Sequence, residues 1–264
     1  MTKASTAGAW LTCFRRNPGA VLSLICFPHV GSGANIFRAW PDALPAAVEV
    51  CPVQLPGREK RVLEPPFNNL SLLVETIAPA LLPYLDKPVA FFGHSMGAAI
   101  CFELARHLRA THNFELVHLF VSGRQAPQLR EEGRRTIYDL PEAEFLEELC
   151  RLNGTPPEVL RHPELMSFML PMLRADFELI ETYRYSAGPP LDCPITALGG
   201  AQDEDVSRES LQAWRERTTA DFSLHMLPGD HFFLHSASSL LLKILSQELL
   251  RDLSRISLKT APGR

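Results

Sequence analysis

One stretch of this chain limits its possible folds more than any other. It is an apolar run that ends in a serine bracketed by glycines. Residues 89–92 are Val-Ala-Phe-Phe, and they lead directly into Gly93-His94-Ser95-Met96-Gly97. Residues 98–109 follow with strong helix formers. A buried strand, a very tight turn and a helix form the context in which G-x-S-x-G has a physical meaning. The turn forces the serine into a strained backbone conformation. The two glycines leave room for neighbouring chain. The helix start beneath Ser95 favours negative charge developing there. Ser95 is therefore a candidate nucleophile.

The rest of the first half alternates in the same way. Residues 21–27 are a nearly continuous apolar run ending at Pro28, as a buried parallel strand requires. Residues 48–53 and 116–122 are further strand candidates. Residues 70–85 show apolar positions at helical spacing, with Ser71 and Glu75 near the start. This alternation predicts an α/β chain with a mostly parallel central sheet and helices on both faces; joined to the Ser95 elbow, it suits the α/β-hydrolase arrangement. The pattern breaks over 124–190, where no strand candidate occurs. Residues 141–152 and 164–185 read as helices. The second is rich in Met and Phe (Met166, Phe168, Met169, Met172, Phe177), and Pro171 predicts a kink. The segment reads as a helical lid over a pocket; the plainer reading is that its apolar residues only pack on the sheet. The sheet resumes with strands at 193–198 and 222–227. Helices are expected at 207–217, capped by Ser207, and at 238–253. The domain reading is a core in two parts, 1–123 and 191–264, with the lid insertion 124–190 between them.

Composition narrows the function. Apolar residues make up 46% and charged residues 21% of the chain, enough for a sizeable core. The formal net charge of -4 argues against a nucleic-acid partner, because no basic excess can neutralise phosphates. The six cysteines form no C-x-x-C pair, and Cys26, Cys101 and Cys193 lie in apolar runs. That predicts a reducing compartment and no disulfide frame. Residues 1–10 hold one lysine and no long apolar stretch, so no signal peptide is expected. No run approaches the roughly 20 apolar residues that cross a bilayer. The expectation is a soluble, monomeric cytoplasmic protein with no membrane partner.

A nucleophilic serine needs a base, and the base needs an orienting carboxylate. In this fold they follow the serine in the order acid, then histidine. Of the nine histidines, only His231 lies in a glycine-containing loop just past the last strand, in Pro228-Gly229-Asp230-His231. His94 is inside the elbow and cannot turn back onto Ser95. After the penultimate strand, Asp203, Glu204 and Asp205 offer carboxylates. Asp203 is preferred because it lies within the loop. Asp205 is the rival, with a helix-start role as its alternative. The oxyanion donors are expected to be the N–H groups of Met96, after the nucleophile, and Val30, in Phe27-Pro28-His29-Val30-Gly31-Ser32-Gly33. His29 is expected to brace that loop. The loop lacks the G-K-[ST] ending of a phosphate cradle, and no cofactor is expected.

With these residues placed, the sequence resembles the type II thioesterases that accompany polyketide and non-ribosomal peptide synthases. The resemblance spans roughly residues 22–250. It rests on Phe27-Pro28-His29 with Gly31, Val53-Gln54-Leu55-Pro56-Gly57-Arg58-Glu59, Phe92 to Gly97, and Leu198-Gly199-Gly200 with Asp203. Trp214 before Thr218 and Gly229-Asp230-His231-Phe232-Phe233 complete it. The Gln-Leu-Pro-Gly-Arg-Glu stretch discriminates best. The resemblance implies a triad of Ser95, Asp203 and His231, with Val30 and Met96 as oxyanion donors. It departs from the family at Val30 and Ser32, where Ala and Gly are usual, and at Ala201-Gln202, where Asp-Arg is common. The implied activity is editing: hydrolysis of short or aberrant acyl groups from the phosphopantetheine arm of an acyl or peptidyl carrier protein. An acidic carrier calls for a basic surface, for which Arg58, Lys60 and Arg61 are candidates. Rival readings are a medium-chain acyl-carrier thioesterase releasing fatty acids, a small-ester hydrolase, and a catalytically dead binding protein.

Overall fold

A computed structural model describes residues 10–129, 136–152, 154, 158 and 161–260. Six strands form one sheet: β1 (Leu22–Phe27), β2 (Val48–Pro52), β3 (Val89–His94), β4 (His118–Ser122), β5 (Ile195–Gly200) and β6 (Phe222–Leu227). Their order is β2-β1-β3-β4-β5-β6, and every pairing is parallel. Strands buried on both faces explain the nearly continuous apolar runs of β1, β3 and β4.

Alternation along each strand divides the core in two. Ile25, Phe27, Val89 and Phe91 join α1 (Leu70–Leu81) and α2 (Met96–His112) on one face. Leu24, Cys26, Ala90 and Phe92 meet Leu241, Leu245 and Leu249 of the C-terminal helix on the other. Each such fully buried Leu or Phe contributes about 1.5–3 kcal/mol. Local chemistry sets the helix ends. Asn69 caps α1: its Oδ1 accepts the Leu72 N–H at 3.0 Å. Asn113 closes α2 in the left-handed conformation, φ 51°.

Residues 136–181 lie between β4 and β5 and hold α3 (Glu142–Leu152) and α4 (Pro163–Glu181). Helix α4 continues through Pro171. These helices have an apolar cluster of their own, in which Phe145 and Leu149 meet Met166, Leu170, Met172 and Leu173. The charged residues 130–135 and the prolines Pro156 and Pro157 lie outside the described residues.

Downstream, the expected helix at 207–217 divides into α5 (Arg208–Gln212) and a 3-10 turn, Ala213–Arg217. Ser207 caps it, with Oγ accepting the Ser210 N–H at 3.1 Å. A short α6 (Phe233–Ser236) precedes α7 (Ser238–Thr260), which runs past its expected end at 253. Strand order reverses between β1 and β3, since β2 lies outward of β1 on one side and β4 beyond β3 on the other. At such a switch the loops at the carboxyl ends part and leave a crevice. The loops after β1 and β3 carry residues 28–33 and Ser95.

Candidate active site

Ser95 has φ 54° and ψ -114°, a conformation few non-glycine residues adopt. Holding it costs about 1–3 kcal/mol. The surroundings enforce it: the Ser95 N–H donates to Ser122 O on β4 at 2.7 Å. The flanking glycines are required. A Cβ on Gly93 would lie 2.2 Å from Gly97 O, and one on Gly97 would lie 2.2 Å from Phe27 O. That second approach sets the start of α2 against the end of β1. Met96 is the first residue of α2, so its N–H has no intrahelical acceptor.

The loop after β5 places a carboxylate beside His231. Asp203 Oδ2 lies 2.7 Å from His231 Nδ1, and the Asp203 side chain is buried. Its Oδ1 accepts the N–H groups of Asp205 at 3.0 Å and Val206 at 3.1 Å. A carboxylate only accepts, so Nδ1 of His231 carries the proton, and in the neutral ring Nε2 keeps a free lone pair. Asp205 meets the acid through its backbone, and Asp230 Oδ1 caps the Phe232 N–H at 2.9 Å. The close packing of two loops makes this possible. A Cβ on Gly200 would strike Asp230 O at 2.2 Å, and Gly229 turns with φ 114°.

The structure also gathers histidines that sequence reading did not group. The His231 ring lies 5.3 Å from that of His94, the residue before Ser95. His29 lies 5.8 Å from His94 and 6.0 Å from His235. Burial pushes His29 down to about 4 and holds His94 and His235 below the usual imidazole range. Neutral rings therefore surround His231. His29 braces the loop after β1 as expected, with Nδ1 2.9 Å from Val30 O. His94 anchors the elbow, with Nδ1 2.9 Å from Ser122 Oγ.

Arg58 requires a correction. It is 5% exposed and so is not a surface cation. Its Nη1 and Nη2 donate to both carboxylate oxygens of Asp176 on α4, each at 2.7 Å. Asp176 Oδ2 also accepts the Gly31 N–H at 2.9 Å, and Arg58 Nη1 donates to Ser32 O at 3.1 Å. The pair ties the loop after β1 to α4. A Cβ on Gly31 would touch Leu173 of that helix at 2.8 Å. Arg61 is also engaged, paired with Glu64 and lying 4.2 Å over the Trp10 ring. One signal for the buried pair was present in the sequence. Asp176 shares the apolar stripe of Met172, Leu173 and Leu179, and an acid at such a position needs a buried partner.

This arrangement suits acyl transfer through a serine. The thioesterase-domain family model matches residues 23–249. The chain belongs to the thioesterase family. It is a thioester hydrolase with the α/β-hydrolase fold. It is 46% identical over 249 residues to the gramicidin S biosynthesis protein GrsT of Aneurinibacillus migulanus, covering 94% of this chain and 97% of that one. It is 47% identical over 243 residues to a Brevibacillus parabrevis protein named linear gramicidin dehydrogenase LgrE, covering 91% and 92%. The type II thioesterase BorB of the borrelidin cluster superposes with a TM-score of 0.84 at 37% identity, covering 94% of this chain and all of that one. The loop after β1 does not form a dinucleotide cradle. It reads Gly31-Ser32-Gly33-Ala34-Asn35-Ile36 and opens only the 3-10 turn Ala34–Phe37.

Proposed function

We propose that this thioesterase is a type II, editing enzyme. It removes short or aberrant acyl groups from the phosphopantetheine arm of acyl or peptidyl carrier proteins in a polyketide or non-ribosomal peptide synthase. The observation that carries the reading is the Asp203–His231 hydrogen bond beside a strained Ser95. Kinship with a gramicidin S biosynthesis protein and a borrelidin-cluster type II thioesterase supports the carrier partner.

The mechanism follows from the groups present. His231 Nε2 takes the Ser95 proton as Oγ attacks the thioester carbonyl. The N–H groups of Met96 and Val30 hold the oxyanion. Imidazolium, steadied by Asp203, gives its proton to the leaving thiolate. Water then enters, His231 accepts its proton, and the acyl-enzyme is cleaved. The thiol arm arrives with the carrier, so the enzyme needs no cofactor of its own. The helices of 124–190 act as the lid, and Val30 narrows the acyl site.

The test is hydrolysis of an acetyl group on a phosphopantetheinylated carrier, with the same acyl group on a small free thiol and Ser95→Ala as blank. Much faster cleavage on the carrier is expected. Equal or faster cleavage of the free thioester would leave a serine hydrolase without carrier recognition. A preference for eight- to twelve-carbon chains over acetyl would move the reading to medium-chain release.

A further inference from the structure

The outer edge of β2 is covered by the segment that precedes β1. Leu11 bridges Val53 in antiparallel register. The Thr12 N–H donates to Pro52 O and the Gln54 N–H to Trp10 O, both at 2.8 Å. These bonds flank Leu11 and Val53, which therefore form a non-hydrogen-bonded pair. Antiparallel register advances one residue on one chain as it retreats one on the other. Two steps on, Cys13 faces Cys51 at another non-hydrogen-bonded position. There facing Cα atoms lie about 4.5 Å apart, within the roughly 4.4–6.8 Å that a disulfide bridges. The two sulfurs are 3.5 Å apart, and both thiols are free.

We propose that Cys13 and Cys51 form a redox-active dithiol, a modification site whose closure to a disulfide pins the residue 10–13 segment to the sheet edge. The oxidant is a low-molecular-weight disulfide. The Cys13 thiolate attacks one of its sulfurs, forms a mixed disulfide and expels one small thiol. Cys51 then attacks the Cys13 sulfur, the internal bond forms, and the second small thiol leaves. Two electrons and two protons pass from the protein to the reagent.

The surroundings assign the order. Cys13 is half-buried, whereas Cys51 is 3% exposed. The Cys13 thiol is held below its ordinary range, first by the hydrogen bond with Cys51 and then by nearby Arg16 and Lys87. The Cys51 thiol is pushed up, first by Cys13 itself, and that effect ends once Cys13 is bonded. Glu49 completes a three-ligand cluster that could hold a cation. Its oxygens are engaged, however, by the Asn17 N–H at 3.1 Å and Lys87 Nζ at 2.8 Å. A metal would have to displace Lys87, so the geometry favours the thiol pair.

Closure reaches toward the site. Trp10 lies under the Arg61 guanidinium and against Phe67. Gln54, bonded to Trp10, donates through Nε2 to Arg58 O at 3.1 Å. The pinned segment therefore buttresses the loop that delivers Arg58 to Asp176.

The test uses the Cys150→Ser protein, because Cys150 is an exposed thiol. Oxidised glutathione should yield a peptide cross-linked through Cys13 and Cys51. It should also raise Tm by about 4–8 °C. Adding Cys13→Ser should abolish both effects and leave the turnover of the reduced enzyme unchanged. The proposal is overturned if both thiols still alkylate after oxidation, if Cys13 stops at the mixed disulfide, or if the cross-link forms without a Tm gain. Zn²⁺ alone shielding both thiols until a chelator is added, with no cross-link under oxidation, would replace it with a metal site.

Discussion

Two histidine–carboxylate pairs lie at opposite ends of the same sheet. His231 and Asp203 meet beyond the carboxyl ends of β6 and β5, with Nδ1 and Oδ2 2.7 Å apart. His118 opens β4 at the amino end, its Nδ1 2.9 Å from Asp252 Oδ2 on α7. The second pair even continues to a hydroxyl. His118 Nε2 lies 2.8 Å from Thr196 Oγ1, which lies 2.8 Å from Ser223 Oγ. By hydrogen-bond order alone it is wired like a catalytic triad. The difference lies in the hydroxyl and its access. Thr196 is fully buried within a regular strand, and the His118 ring is stacked at 4.1 Å on Phe120. Among the described residues, no strained turn or helix start presents its oxygen to a substrate. The His231 side chain is 23% exposed beside the elbow. A chain of polar contacts is therefore structural until a backbone device exposes its end.

Mutations sharpen this contrast. The largest effect is expected at the exposed end. Ser95→Ala and His231→Ala should each lower turnover by about 10⁴–10⁶-fold while thermal unfolding stays near that of the parent. Near-normal turnover in either variant would remove the triad assignment. Next comes the acid. Asp203→Asn should cost about 10⁴-fold in turnover, because the imidazole loses its correct tautomer. Asp252→Asn should change turnover less than about tenfold, and Asp205→Asn less than either. A ranking with Asp205→Asn lowest in activity would move the acid there.

The buried pair should report in stability. His118→Ala leaves Asp252 without its ring partner and Thr196 with Ser223 alone, and should cost about 2–4 kcal/mol. Chemical denaturation measures this, and a loss of turnover with stability intact would make His118 functional. The last effect depends on pH. His29 titrates near 4 in the fold, against roughly 6.5 unfolded. Between those values the unfolded chain binds a proton that the folded chain refuses, so stability falls as pH drops through the window. The loss for His29 approaches about 3 kcal/mol near pH 4, and His94 and His235 add to it with the same sign. His29→Gln should flatten the slope of unfolding free energy between pH 6.5 and 4. An unchanged slope would show that His29 is protonated in the fold.

Much of this was legible without coordinates. Strands β1, β3 and β4 were readable because burial on both faces leaves an apolar run with no alternation. Ser95 and its glycines were readable because steric exclusion at a tight turn is local. The contact between His231 and Asp203 followed from chain order, since the loops at the carboxyl ends of β5 and β6 meet in this topology. Helix ends were read less well. Residues 207–217 divide, and α7 runs past its expected end at 253, because a helix end depends on which groups reach a free N–H or C=O within one turn.

The sequence by itself determined the sheet, the elbow and the histidine loop, since each depends on contacts a few residues apart or on a fixed strand order. Only the tertiary structure decided which charges are buried and which rings meet. Arg58 looked like a surface cation beside a Pro-Gly turn, and its partner Asp176 lies far along the chain on α4. His118 resembled any polar residue in a strand until Asp252 arrived from α7. Cys13 and Cys51 gave no motif, because antiparallel register and not spacing sets them face to face. In each case the energy depends on removing a group from water against a partner distant in sequence, and no local pattern records that distance.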